Sequence, residues 1–241
     1  RERNSERIVM SMPVGVLCNC AAVFLGGLLG TAFGKHLKAE MKETLTVVFG
    51  LAAIANGVVS VIKVQAMPPV VMAVIAGAFL GEILSLERRV KSGLHGVLAH
   101  LPINTSSLDM NEYVTIVAIF CASGFGIYGV LMEGMSGDPT ILFSKSVMDL
   151  FTALIFAGAM GAAVSLIAGL QLVIFLVLFF LAKLVVPLTT PELLNDFMAC
   201  GGVPTIAAGL RVSKIKNVPL TNLLPSLIFV MPLSSVWASI F

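Results

Sequence analysis

Long apolar segments separated by short polar ones make up the chain from about residue 10 onward. Eight of them, at roughly 10–33, 44–63, 68–86, 113–133, 139–168, 170–188, 193–211 and 218–240, approach the length of about 20 residues that crosses a hydrocarbon layer. Their apolar residues do not alternate, and an open sheet cannot satisfy its backbone in lipid. The pattern therefore predicts an all-α, polytopic membrane protein with about eight transmembrane helices.

The boundary between the fifth and sixth spans is the least marked one. The run from Pro139 to Pro187 is too long for a single crossing, and we place a tight hairpin near Ala168, Gly169 and Gln171. The polar segment 87–112 is predicted to be a cytoplasmic loop between the third and fourth spans. Residues 1–9 differ from everything that follows, and we expect a disordered tail or an added sequence there.

Two stretches of the chain resemble each other. GLAAIANGVVSVIK begins at Gly50 and GVPTIAAGLRVSKIK begins at Gly202, and each has a second glycine seven positions after the first and ends in Ile-Lys. Each copy would include the preceding helix, so that residues 10–86 and 170–241 form two repeats around a central helix pair at 113–168. Five spans separate equivalent helices, which predicts an inverted repeat of spans 1–3 and 6–8, an architecture frequent in secondary transporters. The alternative is chance similarity among helices rich in glycine and valine.

Composition agrees with the membrane class and excludes several functions. The chain is 58% hydrophobic and 12% charged, outside the range of soluble domains. A net charge of +2 without a basic block does not favour nucleic-acid binding. No disulfide framework, metal-ligand spacing or catalytic motif is visible, so we expect no metal, no cofactor and no enzymatic activity.

The distribution of lysine and arginine predicts an orientation. Nine of them fall on one side of the predicted topology: Lys35, Lys38, Lys42, Arg88, Arg89, Lys91, Arg211, Lys214 and Lys216. The other side has three, or six with the N-terminal arginines. Because the basic side usually faces the cytoplasm, both termini are expected to be periplasmic or extracellular.

Two opposite charges lie inside the fifth predicted span. Asp138 and Pro139 predict a helix start, which places Lys145 roughly 9 Å and Asp149 roughly 15 Å along the helix. Charges at that depth usually face a polar path or a binding site. The alternative interpretation is a structural pair that is neutralised across one helical turn.

Other polar residues are candidates for the same path. The glycine-rich segment 121–139 is too rich in glycine for an uninterrupted helix, and we expect it to unwind before Glu133 and to line a cavity with Asp138. The alternative is an ordinary turn at the membrane surface. Further candidates within the spans are Asn19, Asn56, Asp196, Thr205 and Asn222. A single buried asparagine is more often a contact between helices than a ligand.

Three glycines form a stripe along the first span. Gly26, Gly30 and Gly34 recur every four residues and would let another helix approach closely. The sequence leaves open whether this helix belongs to the same chain or to a second copy in a homodimer.

The chain resembles a known family in several distinctive segments. These are FCASGFGIYGVLMEGMSGDPTILFSKSVMDLFTALIFA from Phe120, GLRVSKIKNVPLTNLLPSLIF from Gly209 and CNCAAVFLGGLLG near the start. From about Met12 onward it is similar to the YqgA/YdfK family of uncharacterised bacterial inner-membrane proteins, with the domain of unknown function 554. The resemblance implies a polytopic protein of the cytoplasmic membrane and no particular substrate.

These observations predict a secondary transporter or exporter of a small polar solute, an amino acid or a cation. Asp149 would carry the coupling proton or cation, Lys145 would be its partner, and the partners of the protein would be the bilayer and its solute. Two alternatives are an ion channel and a membrane scaffold or sensor that keeps the pair dry.

Overall fold

The computed structural model describes residues 12–34, 36, 38–100, 108–185 and 189–240, and within these ranges all regular secondary structure is helical. The predicted tail at residues 1–9 lies outside the described residues. The α-helices are α1 (Val14–Gly34), α2 (Ala39–Val61), α3 (Met67–Ile83), α4 (Leu86–Ala99), α5 (Met110–Ala122), α6 (Gly124–Ser136), α7 (Thr140–Met160), α8 (Ala163–Val185), α9 (Pro191–Val212) and α10 (Ser226–Ile240). A short 3-10 turn, Leu220–Leu223, precedes α10.

The helices confirm the all-α, polytopic class. Seven segments of the described chain are long and apolar enough to cross a membrane, and α5 with α6 forms one of them, from Met110 to Ser136. The bent pair of α3 and α4 raises the number to eight if it is counted as a span. The predicted count of about eight is therefore confirmed.

The predicted loop at 87–112 contains a helix. Helix α4 starts directly after α3, and the two are bent by 59° at a break where Ser85 has a left-handed backbone with φ 50°. Its sequence, LERRVKSGLHGVLA, has charged residues in the first half and leucine and valine at helical spacing. The interpretation as a loop was wrong because the charge density concealed this amphipathic period.

The hairpin after α7 lies earlier than predicted. Helix α7 ends at Met160, and Gly161 has φ 70° and ψ −154°, a backbone region that only glycine enters easily. Gly169 and Gln171 lie inside α8 instead of in the turn. A turn still separates two crossings, so the predicted topology after it is unchanged.

The glycine stripe of α1 packs inside the molecule. A Cβ atom at Gly26 or Gly30 would collide with the carbonyl oxygen of Leu150 or Leu154, and one at Gly34 would collide with Gly158. Along these contacts the residue numbers of both helices increase together, so α1 and α7 run in the same direction. Of the two partners that the sequence allowed, the structure shows a helix of the same chain.

The glycines of the two similar stretches meet at one helix crossing. Gly50 lies against the Gly209 carbonyl and Gly209 against that of Gly50, while Gly57 and Gly202 form the same reciprocal contact. Helices α2 and α9 are therefore antiparallel, and exchanging the two stretches maps one contact onto the other. An inverted repeat requires this relation of its second helices, although the repeat as a whole stays a prediction.

Candidate functional site

The predicted pair on α7 is formed and buried. The Lys145 Nζ lies 2.5 Å from the Asp149 Oδ2, and the two side chains are 5% and 6% exposed. Asp149 is nine residues from the start of α7, which is roughly 14 Å along a helix about 32 Å long. If α7 spans the bilayer, the carboxylate is close to the midplane.

A chain of hydrogen bonds connects Asp149 to two further helices. The Asn19 side chain on α1 donates to the Asp149 Oδ2 over 2.9 Å. The Gln171 Nε2 on α8 donates to the Asn19 Oδ1 over 2.7 Å and to the Phe120 carbonyl over 3.2 Å. The Phe120 carbonyl is in the last turn of α5, where carbonyls lack helical partners. Asn19 therefore holds the Asp149 carboxylate from the side of α1, and Gln171 holds Asn19 in turn.

Sequence reasoning missed Gln171 because it placed this residue in the hairpin. Gln171 is fully buried, and its Oε1 has no partner among the described residues. The signal that could have identified it is a lone amide in the otherwise apolar stretch LIAGLQLVIF. Such a polar residue within a span usually faces other helices.

A cavity of about 210 Å³ borders the pair. Residues of helices α2, α7 and α9 and of the junction of α5 with α6 line it, and it is open on the side of the exposed Met148 and Phe151. Its lining consists of Phe49, Ala52, Ala53, Asn56, Ile119, Ser123, Phe125, Lys145, Met148, Asp149, Phe151, Thr152 and Thr205. The structure thus brings four of the predicted path residues together, namely Lys145, Asp149, Asn56 and Thr205, within walls that are mainly apolar.

The fourth span is interrupted at Ser123, beside the cavity, and not by an unwound stretch that leads from before Glu133 to Asp138. Ser123 has an extended backbone (φ −70°, ψ 137°) between α5 and α6, and its Oγ accepts from the Gly126 amide over 3.2 Å. Helix α6 then continues through Glu133 to Ser136. The glycines serve close packing: a Cβ at Gly124 would meet Gly201. The prediction that these glycines unwind the chain was therefore wrong in position.

Glu133 stabilises a helix end instead of lining the cavity. Its buried carboxylate accepts hydrogen bonds from the amides of Gly15 (2.6 Å) and Val16 (3.0 Å) in the first turn of α1. A carboxylate is favourable at a helix N-terminus, where free amides carry partial positive charge. This contact between distant segments explains why an acidic residue is buried there.

Asp138 lies on the surface at the turn between α6 and α7. Its Oδ1 accepts from the Thr140 amide over 3.0 Å and from the Thr140 Oγ1 over 2.6 Å, so it binds the first residue of α7, which begins at Thr140 and not at the predicted Pro139. These bonds from Thr140 hold the pKa of the Asp138 carboxyl below its usual value. It does not line the cavity beside Asp149.

Asp196 and Asn222 also lie away from this cavity. The Asp196 Oδ1 accepts from the amides of Gln65 (2.8 Å) and Ala66 (3.0 Å), directly before α3. Asn222 accepts from the Glu87 amide over 2.8 Å and donates to the Glu82 Oε2 over 2.7 Å. Their contacts fix the two ends of α3.

A second buried ion pair joins α4 to α9. The Glu87 Oε1 lies 2.7 Å from the Arg211 Nη1, and its Oε2 accepts from the Thr221 amide over 3.1 Å. The Arg211 Nη1 also donates to the Val218 carbonyl over 3.1 Å, and its Nη2 to the Asn111 Oδ1 over 3.2 Å. Arg211 was counted among the loop cations that set the orientation. It instead lies buried in the last turn of α9, and its partners Glu87 and Asn111 could not be identified from the sequence because they are far away in the chain.

Among the described residues, no group of three or more histidine, cysteine, aspartate or glutamate side chains is placed to hold a metal ion. The described cysteines Cys18, Cys20, Cys121 and Cys200 are all free thiols. The chemistry available at the cavity is therefore that of one carboxylate, one ammonium group and neutral polar groups.

Comparison with known proteins places the chain in a family. The model of the family described as "Protein of unknown function (DUF554)" matches residues 14–235. The chain is 42% identical over 236 residues to the "Uncharacterized protein YqgA" of Escherichia coli strain K12, covering 95% of this chain and 100% of that protein. It is 27% identical over 224 residues to the "Uncharacterized membrane protein YdfK" of Bacillus subtilis strain 168, covering 89% of this chain and 92% of that protein. No solved structure matches the chain.

The family match covers most of the sequence, including every residue that lines the cavity. The chain belongs to the DUF554 family of proteins of unknown function.

Proposed function

We propose that this protein is a secondary transporter or exporter of a small polar solute, an amino acid or a cation, with ion coupling through Asp149. One observation carries the proposal: the Lys145–Asp149 pair borders a cavity of about 210 Å³ near the middle of α7. A buried charge pair is not needed for stability, since apolar residues of similar volume are often as favourable. Its position beside a cavity gives it a use in binding.

The hydrogen bonds of Asp149 leave one oxygen free for a ligand. Lys145 and Asn19 both bind the Oδ2, whereas the Oδ1 has no partner among the described residues. Protonation of the carboxylate would remove the charge that holds the Lys145 ammonium in place. Proton binding and solute binding at Asp149 would thereby be coupled.

The surroundings of the cavity also support transport. It borders both α2 and α9, the two helices whose glycines pack reciprocally, and the interrupted span at Ser123. Secondary transporters with inverted repeats bind their solute between the repeats, beside broken helices.

The packing of α1 speaks against the alternative of a membrane scaffold that assembles through this helix. It required the glycine stripe of α1 for assembly, and Gly26, Gly30 and Gly34 are covered by α7 of the same chain. We place the protein in the bacterial cytoplasmic membrane with its basic loops inside and both termini outside, in agreement with the lysine and arginine distribution.

Proteoliposomes test the proposal. Wild-type protein is expected to couple solute movement to a proton or cation gradient, and Asp149→Asn is expected to abolish the coupled flux while the protein stays folded. Glu43→Gln, at an exposed carboxylate on α2, is the matched control and should behave as wild type. Unchanged flux in Asp149→Asn would remove Asp149 from the mechanism, and currents that do not saturate with solute would indicate a channel.

A further inference from the structure

We infer that the solute is a zwitterion with a compact apolar body, that is, a small α-amino acid, with its ammonium group on Asp149 and its carboxylate on Lys145. This inference rests on the proposed function and decides between the two solute classes that it leaves open. Three features of the cavity carry it: the charge of the pair, the free polar atoms, and the walls.

The charge of the site favours a solute without net charge. Lys145 and Asp149 neutralise each other, and both side chains are nearly excluded from solvent. A cation or an anion entering the cavity would leave one uncompensated charge in a region of low dielectric constant, which is strongly unfavourable. A zwitterion brings one charge for each partner and keeps the site neutral throughout binding.

The free polar atoms match both ends of such a solute. The Asp149 Oδ1 is an open acceptor, and Asn19 continues to hold the Oδ2 when a ligand arrives. The Lys145 ammonium carries three protons, and Asp149 is its only hydrogen-bond acceptor among the described residues. Both side chains line the cavity, so an ammonium and a carboxylate attached to the same carbon can replace their mutual bond.

The remaining walls fit a short apolar side chain. Phe49, Ala53, Ile119 and Met148 face the cavity, and Asn56 and Thr205 add only neutral polar atoms. The volume of about 210 Å³ leaves room for a small solute. Beyond Lys145 and Asp149, the lining offers no second charge for a longer, charged side chain.

Thermal unfolding of the purified protein in detergent separates the solute classes. The probes are L-alanine, L-valine, and two molecules that each lack one charged group of valine, isobutylamine and 3-methylbutanoate, together with sodium and potassium chloride. Because a ligand that binds only the folded state raises the melting temperature, alanine or valine should raise it by several degrees. Neither the amine, the carboxylate nor the inorganic cations should do so at the same concentration.

Variants connect the shift to the pair. Lys145→Met and Asp149→Asn should each abolish the shift, while Lys216→Met and Glu43→Gln, at exposed positions, should retain it. If Lys145→Met does not fold, the comparison of valine with its two single-charge analogues on the wild type still tests whether binding needs both charged groups of the solute.

A shift produced equally by isobutylamine, or by an inorganic cation without any shift by the amino acids, would overturn the inference and leave coupled transport intact. The absence of a shift with both amino acids would also overturn it. Proton-coupled flux that is lost in Asp149→Asn is measured separately, so failure of the solute assignment is distinguishable from failure of the transporter proposal.

Discussion

At the scale of single residues, buried charges in this protein have two different uses. Glu133 and Asp196 accept hydrogen bonds from backbone amides next to helix starts and are thereby satisfied. Asp149 is paired with Lys145 on the same helix and also borders a cavity. In the second arrangement the Asp149 Oδ1 stays available to a ligand beside a charged partner.

The stability of the pair can be tested by a double-mutant cycle. Lys145→Met leaves the Asp149 carboxylate buried without its counter-charge, and such a loss costs about 3 to 5 kcal/mol. Adding Asp149→Asn removes the orphaned charge, so the double variant should be more stable than Lys145→Met. Thermal unfolding of both variants in detergent measures the difference. A double variant less stable than either single one would show that the charges do not interact.

The sequence was most informative where the interacting residues are close in the chain. Lys145 and Asp149 are one helical turn apart, so their pairing and depth followed from helix geometry. Glu133 meets Gly15 across 118 positions, and nothing local announces such a contact. In the sequence, a glutamate that binds a distant helix end such as Glu133 therefore cannot be distinguished from one that lines a polar path.

At the scale of helices, glycine decides which elements can approach. The α1 glycines lie directly on the α7 backbone, whereas Gly93 on α4 has nothing within 4 Å of the position where a Cβ would be. A glycine is thus required for close helix packing on α1, whereas on α4 a larger residue would fit at Gly93.

Gly30→Ala should destabilise the protein, because the new methyl group would collide with the Leu154 carbonyl on α7. Gly93→Ala is the matched control and should be neutral or slightly stabilising, since alanine is favoured over glycine within a helix by about 1 kcal/mol. Melting temperatures of the two variants in the same detergent test this difference. Equal melting temperatures would mean that α1 does not pack on α7 as closely as described.

The ion pair between α4 and α9 predicts a dependence on pH. Burial raises the pKa of Glu87, but hydrogen bonds from Thr221 and Arg211 and the charge of Arg211 outweigh it and lower the pKa below the usual 4.5. A depressed pKa contributes stability at neutral pH, and that contribution is lost as the pH falls through the folded-state value. Unfolding temperatures of wild type and Glu87→Gln should therefore differ at pH 7 and converge in the acidic range below 4.5. A constant difference would contradict this.

Helix existence was predictable, and helix boundaries were less so. The turn is at Gly161, where the backbone adopts a glycine-specific conformation, and not at Gly169, which continues α8. Both are glycines beside small apolar residues, and only tertiary packing distinguishes them. The interruption at Ser123 was missed for a similar reason, because the glycines after it drew attention to a later position.

At the scale of the whole molecule, hydropathy and helix length determine the class, while side-chain contacts determine the pairing. The number of crossings followed from apolar segments of sufficient length. The reciprocal packing of Gly50 with Gly209 and of Gly57 with Gly202 matches the spacing that suggested a repeat. The helix that packs against α1 could not be predicted from the sequence, because a glycine stripe fits a helix of either the same or a second chain.

The proposed transport requires access of water to the cavity beside Lys145 and Asp149. Its most direct test is the labelling of single cysteines by a membrane-impermeant thiol reagent in a variant without the native cysteines. Thr205→Cys, in the cavity wall, should react, and a bound solute should protect it. Val147→Cys, on the exposed face of α7 at similar depth, should not react because it faces lipid. If Thr205→Cys is as inert as Val147→Cys, the pair is a dry structural bridge and the account of transport is wrong.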